Sequence, residues 1–380
     1  RKVRPRDRSF FAVSFSSLVP RANISLQVIC ARQSSDETVY DMVIRRTEME
    51  WRCNQGAWPA LTRPRQPQMF APKVISKWAF TLVFALLLSG GTAAAFSQTR
   101  SAPVEVPFEL VHNQILVQVK ITGKGPYTML LDTGTDPSAI DLTVAKELGL
   151  GLDSKSYPAS GGGSVIQSVQ VTRLSSLELG SVVARDIVAG VVDLKKLSGK
   201  LGRPIQGVLG YSFLKDRIVQ IDYAASKLRF FLQSPYATIA NSPNMVNIVA
   251  MPFRYENGVM IDSVFINGEK LKATLDTGSS GAFALTPEAV AILGLEDLAQ
   301  GGAAETSVGY NGEYESKSGV LKSVRLGRLS LESAPASFWP TGAGHDKEKY
   351  QVNIGNGFFK DYLMTFDFRG KIVVFEQPDD

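Results

Sequence analysis

The sequence predicts an all-β chain made of two similar halves, and three observations carry that reading. The same landmarks recur in the same order within residues 105–232 and 247–377, each half opens with a hairpin whose apolar residues alternate with period two, and a polar, proline-bearing stretch at 233–246 separates the halves.

The repeat comes first because it organises everything else. Leu131-Asp132-Thr133-Gly134 returns as Leu275-Asp276-Thr277-Gly278, 144 residues later. Val208-Leu209-Gly210 returns as Asn353-Ile354-Gly355, Phe213 to Asp216 as Phe358 to Asp361, and Ile221-Asp222-Tyr223 as Phe366-Asp367-Phe368, all at an offset of 145. Leu179-Gly180 matches Leu326-Gly327 at 147, so a small insertion before that point is mostly reversed after it. Five ordered matches with so little drift describe a duplicated domain.

Within each half the local pattern is β. Gln114 to Ile121 alternates, turns at Gly123 to Pro126 and returns through Tyr127 to Leu131 into the Asp loop. Val259 to Ile266 turns at Asn267-Gly268, a pair suited to the twist of a two-residue hairpin, and returns toward Asp276. Short helices are expected at Leu142 to Leu148 and Pro287 to Leu293, and again after Gly210 and Gly355.

The front of the chain has a different character. Residues 1–68 hold 12 Lys+Arg against 6 Asp+Glu and show no sustained period; they are expected to be a leader outside the native chain, or else a disordered basic extension, with Met69 as the initiator. Residues 69–95 read as a secretory signal: Lys73 and Lys77, an apolar run from Trp78 to Leu88, then the small residues Ala93-Ala94-Ala95. The expected location is therefore exported, periplasmic or secreted, with a membrane tether if the segment stays uncleaved. From residue 96 onward, 27 Lys+Arg face 30 Asp+Glu, so the sequence pI near 9.0 gives no argument for nucleic acid. Both cysteines, Cys30 and Cys53, lie in the front segment, leaving the remainder without a disulfide, a thiolate nucleophile or a thiolate metal ligand. His112 and His345 neither recur at the repeat offset nor have ligand-spaced partners, so no metal and no cofactor is expected.

The chemistry is then left to two carboxylates. Hydrolysing a peptide without metal, thiolate or serine requires a water to lose a proton while the carbonyl oxygen gains one. Two carboxylates about 3 Å apart can do both, because they share a single proton rather than ionise together. Asp132 and Asp276 are the candidate catalytic pair. Gly134 and Gly278 lack a Cβ and would let the two loops approach around a pseudo-twofold axis. Thr133 and Thr277 would bond the opposite loop's backbone, and Thr135 and Ser279 would donate to the outer carboxylate oxygens.

On these residues the chain resembles the aspartic peptidase superfamily, and its halves are most similar to retropepsin-like domains. The shared pattern is the apolar-Asp-Thr-Gly-Thr/Ser loop in both halves, together with Val208-Leu209-Gly210 and Asn353-Ile354-Gly355, which in the family cross behind the catalytic loop. The resemblance covers about residues 105–377 and implies a closed, barrel-like β fold for each lobe, a cleft between lobes and a flap hairpin over it. By distance from the Asp loops, the flap tips fall near Gly161 to Gly163 and Val308 to Gly312. The expected activity is aspartic endopeptidase on an extended polypeptide, by a monomer whose lobes pair intramolecularly; a non-catalytic peptide-binding module using the same cleft is the alternative. Two departures break the symmetry: Asp136-Pro137 stands opposite Ser280-Gly281, and Asn353 replaces an apolar residue.

Overall fold

The computed structural model describes residues 101–159, 167–236, 247–309, 312–342 and 349–377. The leader and signal readings over 1–95, the first flap tip and most of the 233–246 stretch lie outside the described residues. Among those described, no helix is long and apolar enough to cross a membrane.

The all-β expectation holds, and the duplication is visible strand by strand. The first eight-stranded sheet runs, in spatial order, Glu109–Val111, Gln114–Ile121, Lys124–Leu131, Gly207–Leu209, Ser138–Asp141, Val182–Val192, Gln167–Leu179, Leu152–Ala159. The second repeats this place for place with Arg254–Tyr255, Val259–Ile266, Glu269–Asp276, Val352–Gly355, Phe283–Leu285, Leu329–Phe338, Gly312–Leu326, Ala304–Gly309. Each sheet folds back on itself through one extra pairing, Lys120 with Glu178 in the first and Phe265 with Arg325 in the second. The alternation in Gln114–Ile121 does what its period requires: Val117, Val119 and Ile121 face the core while Gln118 and Lys120 are exposed.

The expected helices form, each ended or begun by local chemistry. Asp141 caps Leu142–Glu147 by accepting from the Thr143 N–H at 2.7 Å, and Thr286 caps Pro287–Leu293 by accepting from Ala289. Tyr211–Leu214 and Asn356–Phe359 follow the two supporting glycines. Two further helices, Lys195–Leu201 and Glu296–Gly301, carry little apolar periodicity and were not anticipated.

A third sheet joins the halves. It has six strands in the order Val104–Pro107, Lys227–Phe231, Ile218–Asp222, Leu363–Asp367, Ile372–Glu376, Ile248–Pro252, three from each repeat. At its centre Ile218–Asp222 and Leu363–Asp367 pair antiparallel with Gln220 opposite Thr365. These two residues are 145 positions apart, the repeat offset itself, so the pseudo-twofold axis passes between them. The Gln220 amide donates to Thr365 Oγ1 at 3.1 Å, and Tyr236 closes over the pair, donating to Glu376 at 2.9 Å.

Asn356 ties the two repeats together elsewhere. It is fully buried; its amide donates to Thr277 O (2.6 Å) and, across the repeat boundary, to Asn113 O (2.7 Å), while its oxygen accepts from the Tyr223 hydroxyl (2.7 Å). Replacing it by leucine takes this partner from three polar groups, two of them buried. Asn356→Leu is expected to cost about 2–4 kcal/mol, read as a lower urea midpoint with an unchanged slope; an unmoved midpoint would show these bonds to be dispensable.

Candidate active site

The two Asp loops are delivered alike. Lys124–Leu131 pairs in parallel with Gly207–Leu209, and Glu269–Asp276 with Val352–Gly355, so each supporting segment runs behind its loop. The Asp132 N–H donates to Leu209 O at 3.1 Å, and Tyr211 and Asn356 send their N–H groups to Thr135 O and Ser279 O at 2.8 and 2.9 Å.

The loops then bind each other. Thr133 N–H donates to Thr277 Oγ1 at 3.0 Å and Thr277 N–H to Thr133 Oγ1 at 3.1 Å; in return the Thr133 hydroxyl donates to Leu275 O at 2.8 Å and the Thr277 hydroxyl to Leu131 O at 3.0 Å. Both threonines are buried, at 1% and 0% exposure, so these four bonds are sheltered from competing water. Further links come from the first repeat's turn: the Gln114 amide donates to Gly278 O at 2.8 Å and the Asn113 amide to Ser280 O at 3.1 Å.

This exchange brings Asp132 and Asp276 face to face. A Cβ added to Gly134 would stand 3.1 Å from Asp276 Oδ1, and one added to Gly278 would stand 2.5 Å from Asp132 Oδ2. A side chain at either place would therefore collide with the other loop's carboxylate or drive the loops apart. Each inner oxygen is held by the backbone, Asp132 Oδ1 by Gly134 N–H at 2.7 Å and Asp276 Oδ1 by Gly278 N–H at 2.8 Å. Burial and the neighbouring Asp276 charge push Asp132 up to about 7, against the lowering effect of the Thr135 hydroxyl and the Gly134 N–H.

The outer oxygens are where the repeats diverge. Thr135 donates its hydroxyl to Asp132 Oδ2 at 2.6 Å, the contact expected of it. Ser279 does not take the matching place: its backbone N–H meets the Asp276 carbonyl at 3.1 Å, and the outer oxygen Asp276 Oδ2 accepts instead from the Asn353 amide at 2.8 Å. Asn353 sits directly across the parallel pair from Thr274, two residues before Asp276, and reaches forward to the carboxylate. Sequence reasoning noticed this residue only as a misfit opposite Val208. The signal was there, a polar residue at a buried repeat position next to an Asp loop.

The pair opens into a cleft of about 2170 Å³ lined by both repeats. Leu130, Val208 and Val192 line it from the first repeat, and Thr274, Asn353 and Trp339 from the second. The hairpins whose tips were expected to be flaps form on either side: Ala159 pairs with Gln167, and Gly309 with Gly312, with residues 160–166 and 310–311 outside the described residues. Asp222 and Asp367, also repeated, are absent from the lining and instead cap turns, Asp222 accepting from Ala225 N–H and Asp367 from Gly370 N–H. Among the described residues no three His, Cys, Asp or Glu side chains are grouped to hold a metal.

Comparison with known proteins places these features in a family. The aspartyl protease family matches residues 117–213 and again 263–358, one match per repeat and together about half of the chain. Among solved structures the chain is similar to a retropepsin-like aspartic protease from Rickettsia conorii, at 18% identity and a TM-score of 0.27, over 34% of this chain and 92% of that one. No curated protein matches it. The chain belongs to the aspartyl protease family, whose pattern it carries twice in tandem.

Proposed function

We propose that this protease is an endopeptidase in which Asp132 and Asp276 activate one water between them. The observation that carries the reading is the reciprocal threonine exchange, which holds two half-buried carboxylates together in a cleft lined by both repeats. With one proton on the pair, the ionised carboxylate takes a proton from water as its oxygen attacks the peptide carbon. The protonated carboxyl gives its proton to the carbonyl oxygen. As the tetrahedral diol collapses, the carboxyl that took the water's proton gives it to the nitrogen, the other carboxylate takes a proton from a diol hydroxyl, and the C–N bond breaks, leaving an acid, an amine and the singly protonated pair. A cleft of this volume, lined by both repeats, suits an extended polypeptide laid across them. Export is part of the same proposal, supported by the charged, apolar and small-residue order of 69–95.

Asp132→Asn and Asp276→Asn are each expected to lower turnover of an unfolded protein substrate by about 10³-fold or more, with the fold retained by circular dichroism. Unchanged turnover in both would refute the mechanism, and tight peptide binding with no cleavage at any pH by the unaltered protein would favour a binding module instead.

The pH dependence has a definite sign. Burial and the Asp276 charge raise Asp132 to about 7, and the pair must keep one proton to supply the acid, so activity is expected to fall as pH rises through about 7. On the acid side it falls again once both carboxyls are protonated. Initial rates measured between pH 3 and 9 check this, and a rate still climbing at pH 9 would contradict it.

A further inference from the structure

The two carboxylates are held by donors of different kinds, and that difference bears on how the pair shares its proton. A hydroxyl such as Thr135 can donate to an ionised carboxylate or rotate to accept from a protonated one. The NH₂ of Asn353 can only donate, so it favours an Asp276 Oδ2 that carries charge. With Gly278 N–H on Oδ1, Asp276 has an N–H on each oxygen and no acceptor for a proton of its own among these contacts. The opposite orientation of the Asn353 amide would set its oxygen against a carboxylate, tolerable only if Asp276 were the protonated partner.

Asn353 also bears a cost that packing does not explain. It is 6% exposed, and its Oδ1 is buried without a hydrogen-bond partner. The corresponding residue of the first repeat, Val208, fills the same place with no polar atom at all. A buried amide with one end unpaired calls for a reason, and its other end lies 2.8 Å from Asp276.

We infer that Asn353 is a positioning residue that assigns the negative charge of the pair to Asp276, and so makes Asp276 the base and Asp132 the acid. This rests on the endopeptidase reading. Other titratable groups near the pair do not supply the bias. Tyr314, from Gly312–Leu326, and Tyr255, from Arg254–Tyr255, are both pushed up by burial and stay uncharged across the working range; Asp136, an exposed residue beside the first loop whose carboxyl is also pushed up by partial desolvation, makes no hydrogen bond to either carboxylate. The raised Asp132 is consistent with the same division of labour.

The test separates the two limbs of the pH–rate profile. If Asp276 already carries the charge in the active form, Asn353 stabilises that form against the doubly protonated one but does not alter loss of the last proton. Asn353→Val, which installs the first repeat's residue, should then move the acid limb up by about one pH unit and leave the alkaline limb in place, with KM changed by less than about twofold. Asn353→Ala should move the same limb, and guards against a packing fault in the valine variant; thermal melts confirm that both are folded. Thr135→Val should do the reverse, raising the alkaline limb, because it removes a donor that matters when Asp132 loses its proton. A shift confined to the alkaline limb in Asn353→Val would assign the charge to Asp132 and overturn the inference, as would two unmoved limbs. If the unaltered protein cleaves nothing between pH 3 and 9, it is the endopeptidase reading that fails, which is a distinguishable result.

Discussion

Two carboxylates brought within reach of one shared proton repel each other once both ionise, so a structure that holds them must anchor their loops through something other than the carboxylates. The reciprocal exchange between Thr133 and Thr277 does this. Four buried hydrogen bonds cross the pseudo-twofold axis, each ending on backbone or on the other threonine, and none of them uses an Asp oxygen. The carboxylates are thereby left free to respond to protonation while the backbone beneath them stays in register. Much else follows from that constraint. Glycine is required two residues after each Asp, a supporting strand must run behind each loop, and the two repeats must face each other about the pseudo-twofold axis.

Parts of this were legible in the sequence because their physics is local or repeated. Period-two alternation predicts the hairpins at Gln114–Ile121 and Val259–Ile266, since a strand with one face buried must alternate. The two longer anticipated helices, after Asp141 and after Thr286, also form, and the structure shows each begun by a side-chain cap from that residue. The loop residues Thr133, Gly134, Thr135, Thr277 and Gly278 were found because they recur.

The rest depended on geometry that no local window contains. The six-stranded sheet draws on Val104–Pro107 at the front of the first repeat and Ile372–Glu376 at the end of the second, strands with no feature that names their partners. The competition between Ser279 and Asn353 for Asp276 Oδ2 is of the same kind. By sequence Ser279 is the nearer donor. By structure, a parallel pairing between Thr274 and Asn353 brings a residue 77 positions away within 2.8 Å. Duplication supplies two similar loops, and Asn353 on a supporting strand gives Asp276 an outer-oxygen donor of a different kind from the Thr135 hydroxyl on Asp132. A twofold pair of groups asked to do two different jobs gains from such a break.

The Gln220–Thr365 contact at the centre of the six-stranded sheet carries a consequence for the halves as separate polypeptides. Severed at the junction, the first half would keep only three of the six strands, with Ile218–Asp222 as a bare edge offering alternate unpaired N–H and C=O groups. The partner shaped to fit that edge is another copy of the same half, laid down antiparallel so that Gln220 meets Gln220 where it now meets Thr365. Such a union would place Asp132 against Asp132 with Thr135 on both outer oxygens. Fusion into one polypeptide is what permits the second position to change on its own, so covalent linkage here confers individuality on two groups that symmetry would otherwise force to remain identical.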